Sequence, residues 1–90
     1  MGNLDFRTRM LIISACASMR LNYLPLSFVN STVDIRNRSD CTYYFCHFNG
    51  IQIDVVIYEH AAKLLASTKH RGYYWFSIKD DLLLLESQSD

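Results

Sequence analysis

Two short segments, Tyr43-Tyr44-Phe45-Cys46-His47-Phe48 and Tyr73-Tyr74-Trp75-Phe76, carry most of the aromatic side chains of this chain. In both, the rings occupy successive positions, not alternate ones. A strand sends neighbouring side chains to opposite faces. Each segment, as a strand, therefore places large apolar rings on both sides of a sheet. A small domain covers one side easily. The other side must meet a second layer, a partner or water.

The chain is small enough for that question to dominate. Its 90 residues, half of them hydrophobic and 20% charged, are expected to form a single small domain over residues 1–90. Net stability on the order of 5–10 kcal/mol follows from that size. The formal charge is zero. That removes the basic excess typical of nucleic-acid binders and the acidic excess of a DNA mimic. It also lowers colloidal solubility, so exposed rings on a neutral protein favour life as a dimer or in a complex.

The three cysteines, Cys16, Cys41 and Cys46, argue by their odd count against a disulfide framework. They read as reduced thiols of a cytoplasmic protein. Residues 7–18 pass only faintly for a signal peptide, because the apolar stretch is short. Gly2 is followed by Phe6 where myristoylation needs Ser or Thr. The sequons at Asn30 and Asn37 have meaning only in a secreted eukaryotic protein. No run reaches the roughly 20 apolar residues of a membrane span, so no membrane partner is expected.

Along the chain, Asp5 suits a helix N-cap. Phe6, Met10, Ile13, Ala17, Leu21 and Leu24 recur at three- and four-residue steps, one face of an amphipathic helix. Pro25 stops it near Tyr23. Arg7 and Arg9 sit where the helix dipole disfavours cations, a small penalty. Residues 26–29 connect to a strand over 31–36, where Val33 and Ile35 alternate with Asp34 and Arg36. Residues 37–40 have turn chemistry. The first aromatic strand spans 41–48. Asn49-Gly50 signals a type I′ hairpin, and Ile51-Gln52-Ile53-Asp54-Val55 returns antiparallel.

The period then changes. Residues 56–66 read as a second helix, with Ile57, Ala61, Leu64 and Leu65 on one side and Glu59 paired to Lys63 on the other. A basic loop, Lys69-His70-Arg71, leads to Gly72 and the second aromatic strand. Lys79-Asp80-Asp81 turns the chain. Residues 82–85 form a last strand or a short helix, and 86–90 a frayed tail. The expectation is an α+β fold: an antiparallel sheet of four to five strands with two helices packed on one face, in the order α-β-β-β-α-β-(β).

Catalytic and metal-binding patterns are weak. Cys41, Cys46, His47, His60 and His70 could supply zinc ligands, but Cys41 and Cys46 flank a strand instead of a knuckle, and Cys46 and His47 point apart. There is no nucleophile elbow, phosphate-cradling loop or HExxH. The chain is therefore expected to be no enzyme and to need no cofactor or metal.

Two binding readings remain. Tyr and Trp are enriched at interface hot spots because they join apolar area to a polar edge. That favours a protein partner, or a homodimer, met by Tyr44, Phe48, Tyr74 and Phe76 with Lys69 and Arg71 at the rim. The same rings could stack the bases of a single-stranded nucleic acid, against the absence of basic excess and of an RNP-like motif. In size, neutral charge, aromatic load and lack of a catalytic signature, the chain resembles small phage or mobile-element accessory proteins. That resemblance implies an inhibitor or adaptor that binds a host protein, such as a component of a defence system.

Overall fold

In the computed structural model, residues 4–21, 32–48 and 50–89 are described. One helix, α1 (Phe6–Ser18), precedes six strands: β1 (Thr32–Asn37), β2 (Thr42–Phe48), β3 (Ile51–Tyr58), β4 (Lys63–Thr68), β5 (Gly72–Lys79) and β6 (Leu82–Ser89). The strands form one antiparallel sheet in chain order, a meander without crossover. The α+β class is as expected, but the element count is one helix and six strands, against two helices and four to five strands.

The difference lies at residues 56–66. Here β3 runs on to Tyr58, residues 59–62 turn, and β4 returns. Ile57 stands opposite Leu64 and Val56 opposite Leu65. Ala61 is exposed in the turn and Ala62 has φ +52°. The good helix formers of this stretch would give a helix too short to be stable alone. Pairing on both sides of β4 buries Leu64 and Ala66 completely, which overrides local propensity. Glu59 consequently faces Arg7, not Lys63. The expected frayed tail is also corrected: Ser87, Gln88 and Ser89 pair with Trp75, Tyr74 and Tyr73.

The N-cap reading of Asp5 stands, since its carboxylate accepts from the Thr8 N–H at 2.7 Å. The Thr8 side chain first, and this N–H bond second, hold the Asp5 carboxyl below its usual range. Its contribution to stability is present once the unfolded carboxylate is ionised and fades as pH falls through the lower folded value. The helix ends earlier than expected, with Met19 as C-cap and Arg20 in the left-handed region at φ +61°. Its buried side is Thr8, Leu11, Ile12, Ala15 and Cys16. Of the expected apolar stripe, Phe6 (79% exposed), Met10 (43%) and Ala17 point outward, and Ile13 packs partly against the core. Of that stripe Leu21 is buried, and Leu24 lies outside the described residues, as does the 26–29 connector. The misplaced cation has a local cause. Arg7 Nε donates to Asp81 at 2.7 Å and its terminal nitrogen to Glu59 at 3.3 Å, clasping the helix start to two turns.

The core forms between α1 and one face of the sheet. Leu11, Ile12, Ala15, Cys16 and Met19 meet Val33, Cys46, Phe48, Ile53, Val55, Ile57, Leu64, Ala66 and Phe76. The β2–β3 loop is two residues long, because Phe48 pairs with Ile51. Gly50 there has φ +82° with open space around the position of a Cβ; Asn49, which would define the turn type, lies outside the described residues. Gly50→Ala is expected to cost about 1 kcal/mol through backbone strain alone. Chemical denaturation would read it, and an unchanged midpoint would count against a left-handed Gly50.

Candidate functional site

Register fixes what the face turned away from α1 displays, because residues directly opposite each other share a side of the sheet. One row crosses all six strands: Arg36, Tyr43, Val56, Leu65, Trp75 and Ser87. A second row runs Asp34, Phe45, Asp54, Ser67, Tyr73 and Ser89. The only helix among the described residues packs on the opposite face.

The rings of these rows lean on one another. Tyr43 and Phe45 have centroids 5.9 Å apart, and Tyr58 and Trp75 5.8 Å. The Arg36 guanidinium lies over Phe45 at 5.6 Å and that of Arg38 over Tyr43 at 5.0 Å, geometries suited to cation–π attraction. These contacts leave Tyr43, Phe45, Val56, Tyr58, Leu65 and Trp75 half-buried, while Tyr73 is 55% exposed. At the β6 side, Lys63 Nζ donates to Glu86 at 2.9 Å, and Leu84 extends the apolar area. Burial, with Tyr43, Cys41 and Asp40 nearby, raises the Tyr58 phenol above its ordinary value.

This is the reverse of the expected facing. Phe48 and Phe76 are fully buried core residues, and Tyr44 and Tyr74 pack against that core. Burial raises the Tyr44 phenol, which also meets the Thr8 side chain. The outward rings are their sequence neighbours, Tyr43, Phe45, Tyr73 and Trp75. Lys69 and Arg71 are exposed in the β4–β5 turn, where the Arg71 N–H donates to Thr68 Oγ1 at 2.8 Å. With Tyr73, Gln52 and Leu21 they line a groove of about 980 Å³ at that end of the sheet.

No family model, curated protein or solved structure matches this chain. Its chemistry has to be read from the residues themselves. Cys16, Cys41 and Cys46 are buried free thiols. Burial pushes Cys16 and Cys46 up to about 12, so both stay protonated at neutral pH and are poor nucleophiles. His47 follows Cys46 on β2 and points to the other face. His60 and His70 sit in turns at opposite ends of the meander. Among the described residues, no three His, Cys, Asp or Glu side chains gather into a group that could hold a metal ion. No described helix is long and apolar enough to cross a membrane.

Proposed function

We propose that this protein is a non-enzymatic protein-binding module whose contact surface is the open face of its sheet. Trp75, Tyr43 and Phe45 are its anchors, and it acts as an inhibitor or adaptor of a larger protein, in the manner of phage or mobile-element accessory proteins. The observation that carries this reading is a row of aromatic and aliphatic side chains running unbroken over four adjacent strands, from Tyr43 to Trp75, on a face that no described helix covers. Aromatic side chains bury roughly 150–250 Å² each, enough for a few anchors to dominate an interface. The three free thiols fit a reducing compartment such as the cytoplasm.

A single-stranded nucleic acid fits the same face less well. Phe45, the obvious stacking ring, stands between Asp34 and Asp54 in register. Two carboxylates beside the base-stacking position repel the phosphates that supply much of the affinity in such complexes.

The test is capture from host lysate with a tagged chain, after nuclease treatment. A stoichiometric protein should bind the wild type and be lost with Trp75→Ala and with Tyr43→Ala, both variants still folding and melting cooperatively. Capture that ignores both substitutions would move the contact off this face. Capture abolished by nuclease would replace the protein partner with nucleic acid.

A further inference from the structure

The open face is self-complementary. Its central row reads cation, aromatic, aliphatic, aliphatic, aromatic, polar from Arg36 to Ser87, so read backwards its middle repeats the same kinds of side chain. The second row places Phe45 and Tyr73 symmetrically about the same centre, between β3 and β4. We infer that two copies of this chain associate face to face about a two-fold axis that runs along the strands between β3 and β4. This inference rests on the open face being a protein-docking surface, and it names the occupant of that surface before any other partner arrives.

The two-fold lays Tyr43 on Trp75 of the second copy, Val56 on Leu65, and Phe45 on Tyr73. It also lays the β1 edge over the β6 edge. The β1 edge carries Arg36, with Arg38 just beyond, and β6 carries Glu86 at the irregularity opposite Trp75 and Phe76. A carboxylate accepts at both oxygens. Glu86 can therefore keep Lys63 on Oε1 and take a guanidinium of the second copy on the other. Asp34 falls over Ser89 and Asp54 over Ser67, so carboxylates meet hydroxyls and no like charges are stacked.

The other two-fold in the sheet plane, running across the strands, is far worse. Placed between the two rows it lays Val56 on Asp54 and buries a carboxylate against an aliphatic side chain, which is costly; placed on either row it stacks Arg36 on Arg36, or Asp34 and Asp54 each on its own copy, like charge on like charge. Size and net charge agree with the first arrangement. Strands about 4.8 Å apart and about seven residues long at 3.3 Å each give six strands a projected face on the order of 600 Å². Once the relief of the side chains is added, this approaches the roughly 800 Å² per partner of a stable interface. A formal charge of zero leaves no long-range repulsion between copies. Aligned sheets packed about 10 Å apart, at about 30°, are a common solution for two such faces.

Sedimentation equilibrium of the full chain from about 1 to 200 μM tests this. A reversible dimer is expected, with Trp75→Ala raising its dissociation constant by roughly thirtyfold, the effect of a central aromatic anchor. Arg36→Glu and Glu86→Arg should each weaken the dimer, and the double exchange should restore it. A photoreactive Trp75→p-benzoylphenylalanine variant should crosslink to the segment containing Tyr43 of the second copy. A monomer throughout the range overturns the inference. So does a dimer indifferent to Trp75→Ala, a double exchange weaker than either single one, or crosslinking to any other segment. A monomer that still captures a host protein through Trp75 overturns only the pairing. A dimer that captures nothing leaves the pairing intact and removes the host-partner reading.

Discussion

Phe76→Ala should destabilise the protein by about 3–5 kcal/mol, the range for emptying a ring from a packed core. Phe76 is fully buried, opposite Leu64 on β4 and among the side chains that meet α1. Against a total of roughly 5–10 kcal/mol, the loss leaves a substantial unfolded population at 25 °C. The adjacent substitution, Trp75→Ala, removes a larger side chain but opens no sealed cavity. It gives up the contact with Tyr58 at 5.8 Å, worth about 1 kcal/mol beyond the apolar area that is lost, and without a sealed cavity the total stays below that of Phe76→Ala. Urea titration of the two variants side by side therefore reports which way β5 faces. Comparable losses, or a larger loss at Trp75, would place Trp75 in the core and remove the open face as a docking surface.

Alkaline pH should unfold the protein unusually early, and Cys16 and Cys46 should be the cause. Both thiols lie between the helix and the sheet, where burial raises them from an ordinary value near 9.0 to about 12. A raised folded value means that the native state keeps its proton while the unfolded chain releases it. Stability is therefore full below the unfolded value and declines as pH rises toward the folded one, at about 1.4 kcal/mol per pH unit for each thiol. Two thiols between about pH 9 and 11 give a loss on the order of 5 kcal/mol, comparable with the whole stability. Unfolding free energy measured by urea at several pH values should fall along this slope. Cys16→Ala and Cys46→Ala should each flatten it by about half, whatever they do to stability at neutral pH. Equal slopes in the wild type and the double variant would mean that these thiols do not drive alkaline unfolding.

Much of the sheet was legible because its strands carry strong local marks. β1, β2, the start of β3 and β5 follow alternation, β-branched residues and aromatic runs, and the two-residue loop before Ile51 closes as its Gly50 implies. At residues 56–66 the sequence favours helix locally through Ala, Lys and Leu, while the gain that decides the segment comes from strand neighbours on both sides. The spacing of the outer stripe of α1 is as helical as that of its buried face, because the helix is apolar on two sides. Phe6 and Met10 keep helical spacing, but so do Leu11, Ile12 and Ala15, which are the ones in the core.

The facing of the aromatic strands is written in the sequence of their neighbour. Ile51, Ile53, Val55 and Ile57 alternate with Gln52, Asp54, Val56 and Tyr58, which fixes the inner side of β3. A two-residue loop then puts Phe48 opposite Ile51, Cys46 opposite Ile53 and Tyr44 opposite Val55. Those three inherit the inner side, and Tyr43 and Phe45 the outer. Aromatic content alone could not give this, since it is nearly the same on both faces. Register carried the information.

The clasp between Arg7 and Asp81 joins residues 74 positions apart, whereas every strand pairs with its neighbour in the chain. Such a meander has low contact order and can assemble hairpin by hairpin in rapid local steps. The helix cannot share in this, because the surface it covers spans several strands and its clasp waits for the β5–β6 turn. During synthesis α1 emerges before all six strands, and its inner and outer apolar stripes stay bare until the sheet is nearly complete. The vulnerable interval in the life of this chain is therefore the time before the helix docks, when a helix apolar on both sides has nothing to lie on.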